Sequence, residues 1–255
     1  MRAILAGTGA LPGLLLQADE ARVVGFKGVP VGVPVDIPAR FEQLGTLFET
    51  LRKEGVTEVC LAGAMSRPTL DPVAFDPLTA SKMPVLMSAM GQGDDALLRT
   101  IVGVIEDAGF TVVAAHEIRD DLVAEAGVLA GKIKGKDDAT RARAVLDALG
   151  PLDVGQGAVA ARGQVIGVET LQGTDAMLAF VEQTAPGSGG VLAKRPKPGQ
   201  DLRVDMPAIG PDTIRNAARA GLSGIEIAPG NVLLLDRPAI LAACAETGLN
   251  LWAGP

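Results

Sequence analysis

The strongest constraint on this chain is an alternation. Four short apolar stretches, "RAILAG" from residue 2, "ARVVGF" from residue 21, "EVCLAG" from residue 58 and "FTVVAA" from residue 110, are separated by helical patterns over 11 to about 20, 41 to 54 and 95 to 109. Strands with a helix between them cannot close as tight hairpins, so they pair in parallel and cover both faces of the sheet with helices. In such a sheet, ligands collect beyond the carboxyl ends of the strands. The first half therefore predicts a Rossmann-like parallel-sheet domain.

The second half has a different texture. "GAVAARGQVIGVE" predicts a hairpin turning at Arg162 and Gly163, and "TDAMLAFVEQT" predicts a helix. Strands are expected at 191–194, 201–206, "GIEIA" and "NVLLLD", with helices at 139–149, 211–220 and 238–247. The fold class is thus α/β, with an N-terminal Rossmann-like domain and a C-terminal α+β domain of mixed strands. Glycines and charges in "GVLAGKIKGKDD" break the pattern between the halves. We draw the first domain over 1–130, a linker over 131–138 and the second domain over 139–255.

Composition narrows the function. The formal net charge is -7, and no run of Lys or Arg is dense enough to neutralise a phosphate backbone. Aromatic residues are 3% with no Tyr, which leaves little for base stacking. Nucleic acid is not an expected partner. Apolar residues are 48% of the chain, yet no uninterrupted apolar stretch approaches the roughly 18 residues of a membrane span. "MRAILAGTGALPG" reads as a strand and turn and not as a signal peptide, so a cytoplasmic protein is expected. Cys60 and Cys244 have no metal-binding or redox spacing and read as packing residues.

Several segments could carry chemistry. "LAGTGALPG" follows the first strand where a dinucleotide fingerprint would lie, but Pro12 stands at the third glycine position. No acid ends the second strand to hold a ribose, so a nicotinamide cofactor is not expected; Gly7 and Gly9 still allow close backbone approach to a ligand. "AGAMSRP" leaves the third strand with Ser66 and Arg67, which could hold a phosphate or sugar or form an ordinary exposed loop. In "GQGDDALLRT", Asp94 and Asp95 stand where a helix begins; they either cap it and favour its dipole, or belong to a metal–phosphate site. The single histidine, His116, follows a strand and is either a general base or a residue bonded to backbone.

The densest polar constellation lies in the second half. "DVGQG" carries Gln156, "VETLQGTDAML" carries Glu169, Gly173, Thr174 and Asp175, and "LAKRPKPGQDLRVDMPAIG" carries Lys194, Lys197 and Asp205. A strand over 201–206 would put Arg203 and Asp205 on one face, as a solvated pair or as part of a cleft. Lysines can offset phosphate charge, and carboxylates supply the hard oxygens that magnesium takes. Together they point to metal-assisted hydrolysis of a phosphoanhydride.

These segments, with "LAGTGALPGLLLQA", "GVTEVCLAGAMSRP", "GDDALLRTIVGVIEDAGFTVVAAHEI", "LDVGQGAVAARGQVIGVETLQGTDAML", "GVLAKRPKPGQDLRVDMPAIGPDTI" and "AGLSGIEIAPGNVLLLDR", resemble the UDP-2,3-diacylglucosamine pyrophosphatases of the LpxI type across nearly the whole chain. The resemblance implies a magnesium-dependent hydrolase, with manganese as a substitute, serving lipid A synthesis in Gram-negative bacteria. Water would attack the α-phosphorus of UDP-2,3-diacylglucosamine and release UMP and 2,3-diacylglucosamine 1-phosphate, called lipid X. It implies Asp205 as the catalytic aspartate, Asp205, Asp94, Glu169 and Asp175 as candidate metal ligands, and Gly7, Gly9, Ala10, Met65, Ser66, Arg67, Gln156, Gly173, Thr174, Lys194 and Lys197 as candidate substrate contacts.

A diacylated substrate also implies weak, transient peripheral contact with the inner face of the inner membrane; an oligomer is left open. Met83, Leu86, Met87 and Met90 could line an acyl cavity or simply be core. The competing reading is a non-catalytic carrier of the same lipid nucleotide or of lipid X.

Overall fold

The computed structural model describes residues 1–66 and 68–254. The chain forms two compact units: Met1–Asp120 together with Arg203–Asp205, and the remaining residues from Asp121 onward.

The first unit runs β1 (Arg2–Ala6), α1 (Leu11–Leu16), β2 (Ala21–Phe26), β3 (Ile37–Ala39), α2 (Leu44–Lys53), β4 (Glu58–Ala62), α3 (Pro77–Met90), α4 (Asp94–Asp107), β5 (Thr111–Val112) and α5 (Ala115–Ile118). Its five strands are all parallel, in the order β3-β2-β1-β4-β5. This is the strand order of the Rossmann type, reached because the chain adds strands to one side of β1 and then crosses to the other. Ala3, Leu5, Val24 and Val59 of the sheet meet Phe48 and Leu51 of α2 and Val102 and Ile105 of α4 in one core.

The second unit runs β6 (Gly127–Ala130), α6 (Lys136–Leu149), β7 (Gly157–Ala161), β8 (Gln164–Val168), α7 (Gly173–Thr184), β9 (Val191–Lys194), β10 (Ala208–Ile209), α8 (Pro211–Arg219), β11 (Gly224–Ile227), β12 (Leu233–Leu234), α9 (Arg237–Thr247) and β13 (Asn250–Ala253). Six strands form a mixed sheet, β6-β13-β11-β9-β7-β8, and β10 pairs with β12 apart from it. Period-two alternation sorts β11: Ile225 and Ile227 enter the main core, and Glu226 leaves for the opposite face. There the buried Glu226 carboxylate accepts from Trp252 Nε1 at 2.9 Å and pairs with Arg143, so a charge inside the sheet face is fully partnered.

The fold class follows the expectation from sequence, but several elements do not. Residues 127–130 are no approach to a linker: as β6 they pair antiparallel with β13, so the second unit begins at Asp121. The strand expected at 201–206 is a turn. Three alternating apolar residues ahead of Pro207 find no ladder partner, and Val204 packs instead against the first unit's core. "FTVVAA" shortens to β5 because the chain turns into α5 at Ala115, and "NVLLLD" shortens to the two residues of β12. Helix α3 escapes a sequence reading because Pro84 lies inside it.

Helices α2 and α3 are locked at their starts by one carboxylate. Asp76 caps α3, accepting from Thr79 N at 2.8 Å, and its other oxygen accepts from Thr46 N in the first turn of α2 at 3.0 Å. Burial acts to raise the Asp76 carboxyl, but the hydrogen bonds from Thr79, Thr46 and Gly45 outweigh it and hold the carboxyl below its ordinary value. A depressed carboxyl stabilises the fold above its unfolded pKa, and that contribution is lost as pH falls through the lower folded value. Asp76→Ala should therefore cost about 1–2 kcal/mol near pH 7. The gap from wild type, read by urea denaturation at a series of pH values, should narrow below pH 3.8, the ordinary value for this group.

Candidate functional site

At the carboxyl end of the first unit's sheet, the loops after β1 and β4 are stitched together. Thr8 N donates to Ala64 O at 2.8 Å, and Ala64 N donates back to Thr8 O at 3.1 Å. The approach is so close that a Cβ on Gly7 would stand 2.5 Å from Ala64 O. Gly7 is thus buried by loop packing, whereas Gly9, Ala10 and Ser66 are exposed and Met65 is half-buried. Arg67 lies outside the described residues.

Asp94 and Asp95 occupy the first turn of α4, behind Gly93 as N-cap. Asp95 pairs with Arg99 one turn on at 2.6 Å, and both acids sit at the positive end of the helix dipole. His116 lies in α5, its Nδ1 buried without a hydrogen-bond partner. Its neighbour Glu117 turns back to accept from Ala114 N at 2.7 Å. Asp205 is half-buried and counts with the first unit.

The second unit builds its polar site at one end of the mixed sheet. Lys194 is the last residue of β9, opposite Gly157 of β7 and Ile227 of β11. Glu169 follows β8, its N–H donating to Gly157 O at 2.8 Å. Three strands thereby bring the two charges into one row. Lys194 Nζ, with its side chain 4% exposed, donates to Glu169 Oε2 at 2.7 Å and to Thr174 Oγ1, in the first turn of α7, at 2.6 Å. A side chain on Gly157 would collide with the Glu169 carboxylate, so the glycine makes room for the ion pair. Gln156 lies beside this row, its carbonyl accepting from Arg195 N at 3.0 Å.

Other residues expected here have separate duties. Lys197 pairs with Asp153, and Asp175, two residues past Gly173, accepts from Asn216 Nδ2 at 2.8 Å. The Lys194 ammonium occupies the Oε2 side of the Glu169 carboxylate. The turn at 202–204 also removes the strand-face reason for pairing Arg203 with Asp205; Arg203 donates to Glu106 at 2.7 Å. Met83, Leu86 and Met90 of α3 are half-buried and Met87 is 59% exposed, so the stripe is not core. Both cysteines are buried, and loss of hydration pushes the thiols up, Cys60 to about 12 and Cys244 to about 11. Neither is a nucleophile at neutral pH. Sequence reasoning named Lys194, Glu169 and Thr174 but not their mutual contact, since spacings of 20 and 25 residues carry no signal of proximity.

The two units coincide with two known domains: the LpxI N-terminal domain matches residues 1–122, and the LpxI C-terminal domain matches residues 125–252. Over 96% of its length the chain is 38% identical to a protein of Caulobacter vibrioides named UDP-2,3-diacylglucosamine pyrophosphatase LpxI, 94% of which is covered. The chain belongs to the LpxI family. The boundary between the LpxI domains falls within residues 122–125, beside the start of the second unit and ahead of β6.

In this LpxI chain the buried pair stabilises one end of the second sheet only while both partners are present. Lys194→Met alone leaves a buried carboxylate unmatched and should cost about 3–5 kcal/mol in urea denaturation. Adding Glu169→Leu removes that charge, and the double variant should recover most of the loss. A double variant no more stable than the single would show that the pair is not coupled.

Proposed function

We propose that the protein hydrolyses the phosphoanhydride of UDP-2,3-diacylglucosamine in lipid A biosynthesis. The observation that carries this is the 38% identity, over 96% of the chain, to a protein named for that activity. In the proposed step a water oxygen attacks the α-phosphorus, and the bond from that phosphorus to the bridging oxygen breaks. UMP gains the water oxygen, and 2,3-diacylglucosamine 1-phosphate, lipid X, leaves with the bridging oxygen.

Magnesium, or manganese in its place, belongs to the same proposal. Among the described residues no group of three or more His, Cys, Asp or Glu forms a ready cage. Magnesium is commonly held by one or two carboxylates and completed by water and substrate phosphate oxygens. The carboxylates we propose for it are Asp205 and Asp94; Glu169 and Asp175 are engaged by Lys194 and Asn216. When bound, the metal would neutralise phosphate charge and lower the pKa of a water.

The chain's own residues have distinct parts. Asp205 is the proposed catalytic carboxylate, the group that would accept the proton of the attacking water. Lys194 acts as a positioning residue, holding Glu169 and the first turn of α7 in a fixed arrangement. The exposed backbone of Gly9 and Ala10, with Met65, Ser66, Gln156, Gly173, Thr174 and Lys197, is proposed to contact substrate. No helix among the described residues is long and apolar enough to cross a membrane. A cytoplasmic enzyme that meets the membrane only peripherally, through its lipid substrate, is the corresponding proposal.

Turnover in heavy-oxygen water tests the chemistry. Wild type should place the label in UMP, and Asp205→Ala should lower kcat about 10²- to 10⁴-fold, the range of a lost general base. Label in lipid X would overturn the attack site. Tight binding of the lipid nucleotide by wild type without turnover would replace hydrolysis with the carrier reading.

A further inference from the structure

The strands β2 and β3 end in adjacent cations. Lys27 and Arg40 are the next residues of the two strands, brought side by side as Lys27 N donates to Ala39 O at 2.9 Å. Behind them a cleft of about 610 Å³ runs between the loop 27–36 and α2. Its walls are largely apolar, with Val31 and Val35 from the loop, Ile37 from β3 and Leu47 from α2, and Thr46 and Thr50 of α2 add hydroxyls on one side.

The cleft is held open by the backbone. Val29 N donates to Phe26 O at 3.0 Å at one end of the loop, and Asp36 N donates to Val23 O at 3.0 Å at the other. The Asp36 carboxylate adds a bond from Val23 N at 2.8 Å. A Cβ on Gly25 would stand 2.6 Å from Val35 Cγ2, so only glycine lets Val35 lean over the strand and form the wall. A pocket anchored in this way is present before any ligand arrives, and its volume lies within the roughly 300–1,000 Å³ of small-molecule sites.

Its chemistry selects the ligand. None of the lining residues is acidic, so no carboxylate in the wall opposes an anionic group. Lys27 has no ion-pair partner among the described residues, and Arg40 has only Glu42 at 3.5 Å. Two cations beside a largely apolar cleft, on a chain of net charge -7, complement a molecule with an apolar tail and an anionic head.

We infer that this cleft binds an anionic amphiphile. Its acyl chain lies against Val31, Val35, Ile37 and Leu47, and its phosphate or carboxylate is held by Lys27 and Arg40. The binding itself does not depend on the pyrophosphatase reading; the source of the chain does, since a diacylated substrate and a free lipid phosphate or fatty acid share this chemistry.

Calorimetric titration of the full-length protein with dodecyl phosphate, below its micelle concentration, tests the inference. One equivalent should bind to wild type, and inorganic phosphate should not. Lys27→Glu and Val31→Asp, at an exposed and a half-buried loop position, should each weaken binding at least tenfold with thermal unfolding unchanged. No binding by wild type, or binding unaltered in both variants, would overturn the assignment.

Kinetics on UDP-2,3-diacylglucosamine then identify the source. A raised KM at constant kcat in Val31→Asp, with competition by dodecyl phosphate in wild type, assigns the cleft to a substrate chain. An unchanged KM alongside lost dodecyl phosphate binding assigns it to a free amphiphile. Absence of turnover by wild type, with amphiphile binding intact, would overturn the pyrophosphatase reading and leave the cleft assignment standing.

Discussion

A lysine ammonium enclosed at the carboxyl end of an interior strand must be matched, and the matching of Lys194 organises that end of the second unit. Removing such a charge from water costs several kcal/mol unless a counter-charge and hydrogen bonds replace the lost hydration. Glu169 supplies the charge and Thr174 a hydroxyl oxygen, and to bring both within reach β8 must end, and α7 begin, beside the carboxyl end of β9. Gly157 stays without a side chain for the same reason. With the strand ladders setting β7, β8 and β9, this one desolvated cation ties the first turn of α7 and Glu169 to the end of β9.

The first unit solves a different problem, that of bringing loops together above a parallel sheet. Loops after β1 and β4 approach until backbone meets backbone, and the cost of that approach is a glycine at residue 7 that no larger residue can replace without displacing Ala64. Asp76 does the corresponding work between helices, serving the starts of α2 and α3 at once. Both devices use short polar contacts to hold irregular chain in place, which keeps the carboxyl edge of the sheet ordered without burying it. The cleft beside β2 and β3 is the same principle applied to an apolar space, with Asp36 and Gly25 holding its wall.

Legibility in the sequence followed the range of the interactions. Helix α4, the β7–β8 hairpin and helix α7 have local signatures, acids in a first turn, Arg162-Gly163 at a tight turn and apolar spacing, and each forms where those signatures lie. The segment 201–206 carries a period-two pattern as well, but a strand needs a neighbour, and none is available to residues ahead of Pro207. Strand β6 failed in the opposite sense: "GVLA" has little to distinguish it from a linker until β13, over a hundred residues later, provides its ladder. The candidate residues were legible as residue types, but their partners were not. Lys194 is legible in sequence as a cation, whereas its ion pair with Glu169 is visible only in the fold.

By itself, the sequence determined the α/β class, the two-part organisation and the family, because strand–helix alternation and long shared segments are properties of order along the chain. Only the tertiary structure decided that the second unit begins at Asp121, that Glu169 is neutralised by Lys194, that Gly7 is reserved for loop packing and that a largely apolar cleft opens behind Lys27 and Arg40. The physical reason is the same in each case. Desolvation, close approach and cavity shape depend on which distant residues become neighbours, and strand pairing, not local propensity, makes that choice.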